Sequence, residues 1–350
     1  MSNRNLQAAK KAKNDEFYTR LEDIEAELKH YGKHFLNKTV YCNCDSPFQS
    51  NFFKYFVLNF NELGLKKLIC TCYADSPITG AAYKAVVTNV STTDIKSLLN
   101  QGGNSLTRLN GDGDFRSPEC TEILKEADMV VTNPPFSLFR EYIAQLMDYH
   151  KKFLVIGNLN AITYKEIFPL LKNNEMRLGY GVNKTVEFIM SDDYELKGEA
   201  YIDENGKKHD FIHNARWFTN LDIEKRHEPL PLTKRYDPES YPKYDNYDAI
   251  NVDRVSDIPM DYEPCWFECD KADQCLYARA EGLKDAPALC EGKKKTGVIG
   301  VPVTFFDKHC PSQFRIIGLD RYTAPKEVLV GGRLAVNGKT RYCRILIQKV

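Results

Sequence analysis

Between Thr39 and Leu171 short apolar runs alternate with segments of helical periodicity, and this alternation limits the fold more than any other feature. Thr39–Cys44, Lys67–Tyr73, Leu106–Leu109, Asp128–Thr132 and Lys152–Ile156 read as strands. Ser50–Leu63, Ser137–Tyr149 and Tyr164–Leu171 read as helices, with another helix ahead of Asp128. Lys152–Ile156 is apolar almost throughout, as a strand buried on both faces should be. Ala82–Val90, rich in β-branched residues, reads as an inserted strand, and Val186–Met190 and Ala215–Leu221 as late ones. Strands that alternate with helices imply an α/β fold with a parallel, doubly wound sheet. Ahead of it, Thr19-Arg20-Leu21-Glu22 has the pattern of a capping box, and Leu21, Ile24, Leu28 and Tyr31 then share one helical face. From about Asp222 the alternation gives way to loops, short strands and turns such as Val336-Asn337-Gly338-Lys339, the mark of a second domain of mixed character.

The strand ending at Thr132 runs into Asn133-Pro134-Pro135-Phe136. Proline fixes φ and donates no hydrogen bond, and it pushes the residue before it into an extended conformation. The loop is therefore stiff, and it holds the Asn133 amide and the Phe136 ring at the carboxyl end of a strand, where α/β sheets bind ligands. An [Asn/Asp]-Pro-Pro-[Tyr/Phe] string arises by chance in a chain this long at about the half-per-cent level. A functional loop is thus the better reading than a merely rigid turn.

Three further strand ends carry aspartates: Cys44-Asp45-Ser46-Pro47-Phe48, Tyr73-Ala74-Asp75 and Gly111-Asp112-Gly113-Asp114-Phe115. Ribose hydroxyls and the adenine amine donate hydrogen bonds, and a carboxylate is their natural acceptor. The first strand is not followed by Gly-x-Gly-x-x-Gly, and a phosphate-cradling lysine loop is absent, which disfavours a dinucleotide or ATP. Singly, each aspartate reads as a loop cap. Together with Asn133-Pro134-Pro135-Phe136 they fit S-adenosylmethionine beside a flat amine substrate. If the Asn133 side-chain oxygen and the Pro134 carbonyl oxygen accept the hydrogens of that amine, its nitrogen gains sp³ character and becomes nucleophilic. Phe136 would stack on the ring. Ser117-Pro118-Glu119-Cys120 lies on a different loop, which argues against cytosine C5 chemistry.

Composition narrows the partners. With 43% hydrophobic and 27% charged residues among 350, the chain suits a soluble protein of one large domain or two smaller ones. Its apolar runs fall short of a membrane span, and MSNRNLQAAKKAKND lacks the apolar stretch of a signal peptide. Eleven scattered cysteines, an odd number, suit a reducing, cytoplasmic setting. The net charge is zero but unevenly spread. Arg4, Lys10, Lys11 and Lys13 precede the first acid, and nine Lys/Arg between Lys308 and Val350 face only Asp320 and Glu327. Residues 237–263 lean acidic. Lys10, Lys11 and Lys13, with Arg315, Arg321 and Arg333, are the candidate contacts to a polyanion, although solvated faces produce such runs as well.

The chain resembles the EcoRI-type adenine-specific DNA methyltransferases over nearly its whole length. Lys13-Asn14-Asp15-Glu16-Phe17-Tyr18-Thr19 resembles the family's N-terminal cofactor motif. Tyr41-Cys42-Asn43-Cys44-Asp45 with Ser50-Asn51-Phe52-Phe53-Lys54-Tyr55-Phe56 resembles its first cofactor loop and helix. Gly111-Asp112-Gly113-Asp114-Phe115 is similar to the adenine-binding motif and Thr132-Asn133-Pro134-Pro135-Phe136 to the catalytic one. Gly300-Val301-Pro302-Val303-Thr304-Phe305 and Arg344-Ile345-Leu346-Ile347 resemble the C-terminal segments. The order of motifs is that of the gamma arrangement, and Asn rather than Ser at 133 fits N6-adenine over N4-cytosine. The first loop departs from wider adenine methyltransferases in lacking their glycines, and Asp75 has no sharply defined acidic counterpart.

The resemblance implies a Rossmann-like methyltransferase sheet with a C-terminal target-recognition domain. Residues 1–35 would be a basic arm and cofactor-motif helix, 36–222 the S-adenosylmethionine-binding catalytic domain, and 223–350 the target-recognition region. It implies Asn133, Pro134, Pro135 and Phe136 as catalytic, and Tyr18, Thr19, Asp45, Ser46, Pro47, Asp75, Asp114, Phe115 and Asn133 as cofactor-binding. The partner would be double-stranded DNA carrying an adenine flipped from the duplex, with room for a restriction endonuclease sharing the target site. An RNA base or a protein glutamine could occupy the same loop, and a catalytically idle DNA-binding module is the alternative of a different class.

Cys265, Cys269, Cys275 and Cys290, spaced C-x3-C-x5-C-x14-C, fall in a segment, 263–295, that looks inserted relative to the family. Four thiolates on short loops suit structural zinc, but the stronger C-x2-C signature is missing, and packed free thiols are the alternative. Cys42, Cys44, Cys70 and Cys72 alternate on two neighbouring strands and read as small buried hydrophobes.

Overall fold

Thr39–Cys42 and Met129–Thr132 bury every residue, as strands covered on both faces do. They lie side by side and parallel at the centre of an eight-stranded sheet. The computed structural model describes residues 18–74, 81–181, 186–190, 194–196, 198–263, 265–269, 292–324, 329 and 331–350. Among these, residues up to Ile223, apart from 172–174, gather into one unit, and residues from Glu224 on into a second.

The strands of the first unit begin with β1 (Tyr18–Thr19), β2 (Thr39–Cys42), β3 (Lys67–Thr71), β4 (Tyr83–Val87), β5 (Ser105–Arg108) and β6 (Met129–Thr132). They continue with β7 (Lys152–Asn158), β8 (Arg177–Leu178), β9 (Val186–Ile189), β10 (Tyr201–Ile202), β11 (Lys208–Ile212) and β12 (Ala215–Thr219). The large sheet runs β5-β4-β3-β2-β6-β7-β12-β8. Its central strands β3, β2, β6 and β7 are parallel, whereas β4, β5 and β12 run antiparallel to their neighbours. The sheet is therefore mixed, not parallel throughout. Residues 72–82 between β3 and β4 are too few for the helical crossover that parallel strands need, and β4 pairs with β3 antiparallel. Val186–Ile189 forms a strand, but in a separate small sheet ordered β1-β9-β11-β10.

Helices α1 (Leu21–Leu28), α2 (Asn51–Leu58), α3 (Pro118–Glu126) and α4 (Phe139–Asp148) accompany the sheet. Ser50 caps α2 by accepting from Phe52 N and Phe53 N, and Ser117 caps α3, which has Pro118 in its first turn. The capping box expected ahead of α1 does not form. Thr19 pairs with Phe188 across β1 and β9, which leaves Arg20 as a cap without a side-chain bond, and its guanidinium turns to Glu187 instead. Ile24 and Leu28 of α1 share one core with Phe52, Phe53 and Phe56 of α2, Cys42, Cys70 and Trp217. Cys42, Cys70 and Cys72 are buried, in line with their apolar reading, whereas Cys44 is only half-buried. Tyr164–Leu171 is not one helix: a 3-10 turn covers Leu159–Thr163 and a short helix Phe168–Lys172.

In the second unit, β13 (Lys243–Tyr244), β14 (Tyr247–Asn251), β15 (Cys265–Cys269), β16 (Gly292–Lys295) and β17 (Ile299–Pro302) are followed by β18 (Phe314–Leu319), β19 (Ala335–Val336), β20 (Lys339–Thr340) and β21 (Arg344–Lys349). A five-stranded sheet runs β13-β14-β17-β21-β18, while β15 pairs with β16 and β19 with β20. Asn337 and Gly338 join β19 to β20 with φ of 51° and 69°, the left-handed pair a two-residue hairpin turn demands.

Candidate active site

β2 leads away to β3 on one side and β6 leads away to β7 on the other, so the strand order switches between the carboxyl ends of β2 and β6, where sheets of this kind form a crevice. Such a switch point is where open α/β sheets take their ligands. Four loops meet around it. Asp45 N donates to Thr71 O at 3.1 Å, joining the loop after β2 to the end of β3. Ala74 N donates to Asp112 O at 2.7 Å, joining the loop after β3 to the loop after β5. Gly113, with φ of 81°, makes the latter approach possible, because a Cβ there would lie 2.2 Å from Cys72 O.

The fourth loop follows β6. Asn133 is half-buried and Pro134 buried. Pro135 is extended, with φ −55° and ψ 124°, and precedes a 3-10 turn over Phe136–Leu138 that runs into α4. Phe136 is half-buried, with part of its ring packed on the core of the unit.

The aspartates at the strand ends differ from one another. Asp45 is buried, and its oxygens accept from two hydroxyls: Ser50 Oγ to Oδ1 at 2.6 Å, and Thr132 Oγ1 to Oδ2. Burial pushes its pKa up to about 6 against the pull of those two bonds. Both bonds tie it to its neighbours in the interior. Asp114 is partly exposed and carries a two-pronged bond from Arg116, whose other side meets Glu141 Oε2 at 2.8 Å. That guanidinium holds the Asp114 carboxyl below the usual carboxylate range. Phe115 is buried against Tyr142, ring centroids 5.0 Å apart, so its ring belongs to the core.

Tyr18 Oη donates to Gln49 Oε1 at 3.1 Å, and Thr19 O accepts from Asn51 Nδ2 at 2.8 Å, which fastens β1 to the first loop and α2. Ser46 and Pro47 are buried, whereas Phe48 (37%) and Tyr73 (41%) are exposed aromatics on the loops after β2 and β3. Asp75 lies outside the described residues. Thr132, Arg116, Asn43 and Tyr142 were not singled out from the sequence. Tyr142, buried on α4, donates its hydroxyl to Asn43 Oδ1.

In the second unit, Arg315 is bonded to Gln348 Oε1 through Nε at 2.8 Å. Arg321 lies over the Tyr322 ring at 5.3 Å. Arg333 meets the wholly buried Asp320, Nη1 to Oδ1 at 3.4 Å. Tyr322 and Tyr342 are exposed. Lys10, Lys11 and Lys13 lie outside the described residues, as do Cys275 and Cys290. Cys265 and Cys269 are the end residues of β15. Among the described residues, groupings of three or more His, Cys, Asp or Glu placed to hold a metal are absent, and so are helices long and apolar enough to cross a membrane.

A stiff amide-bearing loop thus stands beside a switch point of an α/β sheet, and the relatives of this chain are methyltransferases. Residues 5–266 match the family described as adenine-specific methyltransferase EcoRI. The chain is 45% identical over 355 residues to type II methyltransferase M.EcoRI of Escherichia coli, covering 99% of this chain and 97% of the relative. It is 37% identical to type II methyltransferase M.MgeORF184P of Mycoplasma genitalium and 35% identical to M.MpnI of Mycoplasma pneumoniae, each over 97% of both chains. The protein belongs to the EcoRI adenine-specific methyltransferase family. Solved structures gave no significant match.

Proposed function

We propose that this protein is a site-specific DNA methyltransferase that transfers a methyl group from S-adenosylmethionine to N6 of an adenine flipped out of the duplex. The observation that carries the reading is the Asn133-Pro134-Pro135-Phe136 loop at the carboxyl end of β6, beside the β2 loop at the switch point, in a chain of this family.

The residues around the crevice suit the cofactor. A carboxylate has about four lone-pair sites; Arg116 and its own N–H occupy two on Asp114 Oδ1 and one on Oδ2. The remaining site can accept from the adenine amine. Phe48 and Tyr73 offer exposed rings for stacking, a role the buried Phe115 cannot fill. Asp45 supports the crevice from behind, and Tyr18 and Thr19 fix its first loop. The cofactor supplies a methyl group on a positively charged sulfur. Asn133 Oδ1 and Pro134 O accept the two hydrogens of the target amine, localise its lone pair and aim it. Such placement is worth several kcal/mol of barrier, on the order of 7–11 in the best cases.

Residues 223–350 form the target-recognition region in this reading, with Arg333 and Arg321 toward the bases and Lys10, Lys11 and Lys13 on phosphates. A restriction endonuclease sharing the site accords with the type II naming of the relatives, and a cytoplasmic location goes with action on DNA in this reading. The test is incubation of the purified protein with labelled methyl donor and duplex DNA, RNA or protein. N6-methyladenine in duplex DNA supports the reading; label confined to RNA or to glutamine overturns it.

A further inference from the structure

We infer that Asn43 and Asp45 are positioning residues for methyl transfer, gripping the catalytic loop from both of its ends through Tyr142 and Thr132. The inference rests on the methyltransferase reading above and gives a role to residues just beyond β2.

β2 ends at Cys42, and two polar side chains follow it into the interior: Asn43 and Asp45 are 3% and 7% exposed. Polar groups at such depth are costly unless bonded. Their partners lie on either side of Asn133–Leu138. Thr132, wholly buried at the end of β6 and adjoining Asn133, donates to Asp45 Oδ2. Tyr142, wholly buried on the first turns of α4, donates to Asn43 Oδ1. The second oxygen of Asp45 takes the hydroxyl of Ser50, the cap of α2. One three-residue stretch therefore fixes the strand entering the catalytic loop, the helix leaving it, and the helix that follows the first cofactor loop.

The prolines stiffen the loop internally, but stiffness alone does not locate it. The hydroxyl bonds do so, in a frame shared with the wall of the cofactor crevice. A displacement of about 1 Å at a reacting group can cost about a hundredfold in rate, and loss of either bond leaves a buried polar group without its partner, a strong drive to rearrange. The grip thus acts on the step in which amine and methyl must align, and not on affinity for DNA or cofactor.

The experiment compares wild type, Thr132→Val, which removes the hydroxyl at nearly constant shape, and Thr132→Ser, which keeps it. Methylation of duplex DNA, KM for both substrates, and backbone hydrogen exchange across residues 133–138 are measured. Thr132→Val should lower kcat at least about tenfold, leave both KM values within about twofold, and speed exchange in the loop; Thr132→Ser should regain most of the rate. Tyr142→Phe tests the other end of the grip and should act in the same direction, whether or not Thr132→Val folds. Unchanged kcat and unchanged loop exchange in Thr132→Val and Tyr142→Phe would overturn the inference, as would a fall in cofactor affinity that matches the fall in rate. If wild type methylates no adenine, the functional reading fails by itself, and the exchange data still decide whether the grip exists.

Discussion

Arg116 holds Asp114 in a two-pronged pair, Nε to Oδ1 at 2.9 Å and Nη2 to Oδ2 at 2.7 Å, at the mouth of the loop after β5. The pair is partly exposed, so its worth for folding is small, within about 1 kcal/mol. Its effect is on aim: the guanidinium keeps the carboxylate ionised and turned to one rotamer. Arg116→Ala should raise the cofactor dissociation constant by about three- to tenfold, on the order of 1 kcal/mol. Asp114→Ala should raise it further. Calorimetric titration of the cofactor checks both, and unchanged constants would mean that the loop serves something else.

Asn133→Ala should abolish methyl transfer while leaving cofactor affinity nearly unchanged, because in the proposed reaction the amide acts on the base amine. Single-turnover kinetics with the purified variant decide it, and substantial residual turnover would remove Asn133 from its role.

Phe136 is partly packed on the core, so Phe136→Ala should lower the melting temperature as well as weaken the flipped base by about 1–3 kcal/mol. Phe136→Tyr and Phe136→Trp should retain partial activity. With 2-aminopurine at the target position, wild type should brighten the probe modestly and Phe136→Ala more strongly, since a stacked ring quenches it. Equal loss of activity in all three variants would assign the ring to packing alone.

Acid should affect the two units in opposite directions. Burial raises Asp45 from 3.8 to about 6, so its contribution to stability is full below the lower value and lost as pH rises through the upper. Burial lowers His309, whose Nε2 lies 2.9 Å from Phe314 O, from 6.5 to about 4, so its contribution is present above 6.5 and lost as pH falls toward 4. Each is worth about 3 kcal/mol across its window. Unfolding followed from pH 4 to pH 7 should show that Asp45→Asn removes a loss seen on raising pH, and His309→Gln a loss seen on lowering it. A profile unaltered by both would contradict the assignments.

Arg333 and Arg315 should separate on DNA. Arg315 is exposed, but its Nε and Nη2 both go to Gln348 on the neighbouring strand, whereas the half-buried Arg333 is backed by the buried Asp320. Arg333→Ala should relax discrimination at one base pair by about 1–3 kcal/mol, and Arg315→Ala should leave specificity nearly unchanged. Replacing Lys10, Lys11 and Lys13 by Ala should weaken all sequences alike and flatten the salt dependence by about three units of slope. Binding to a panel of single-base variants at several salt concentrations distinguishes these outcomes.

The central strands and the stiff strand-to-helix loop at Asn133–Phe136 were legible because their signals are local: an apolar run, then prolines, then helical periodicity. Strand direction was not, since alternation of apolar residues is the same in either direction, and only the short path from Thr71 to Tyr83 disfavours a parallel β4. Asp45 and Asp114 look alike in sequence, each an aspartate just past a strand. What separates them is partner distance: Arg116 follows Asp114 by two residues, but Thr132 lies 87 residues from Asp45. The capping box at Thr19 failed for a related reason, because its backbone was recruited by β9, far along the chain.

If the loop after β5 binds the methyl donor as proposed, the close approach of Gly113 to Cys72 bears on redesign for bulkier alkyl donors. Randomising the loop after β5 would be the natural way to enlarge the cleft, yet any side chain at 113 meets a carbonyl oxygen 2.2 Å away and is strained by the left-handed backbone. Gly111 is different: a Cβ there finds its nearest neighbour, Glu119 Oε2, at 4.0 Å. A library on this loop should hold position 113 fixed and place its diversity at 111.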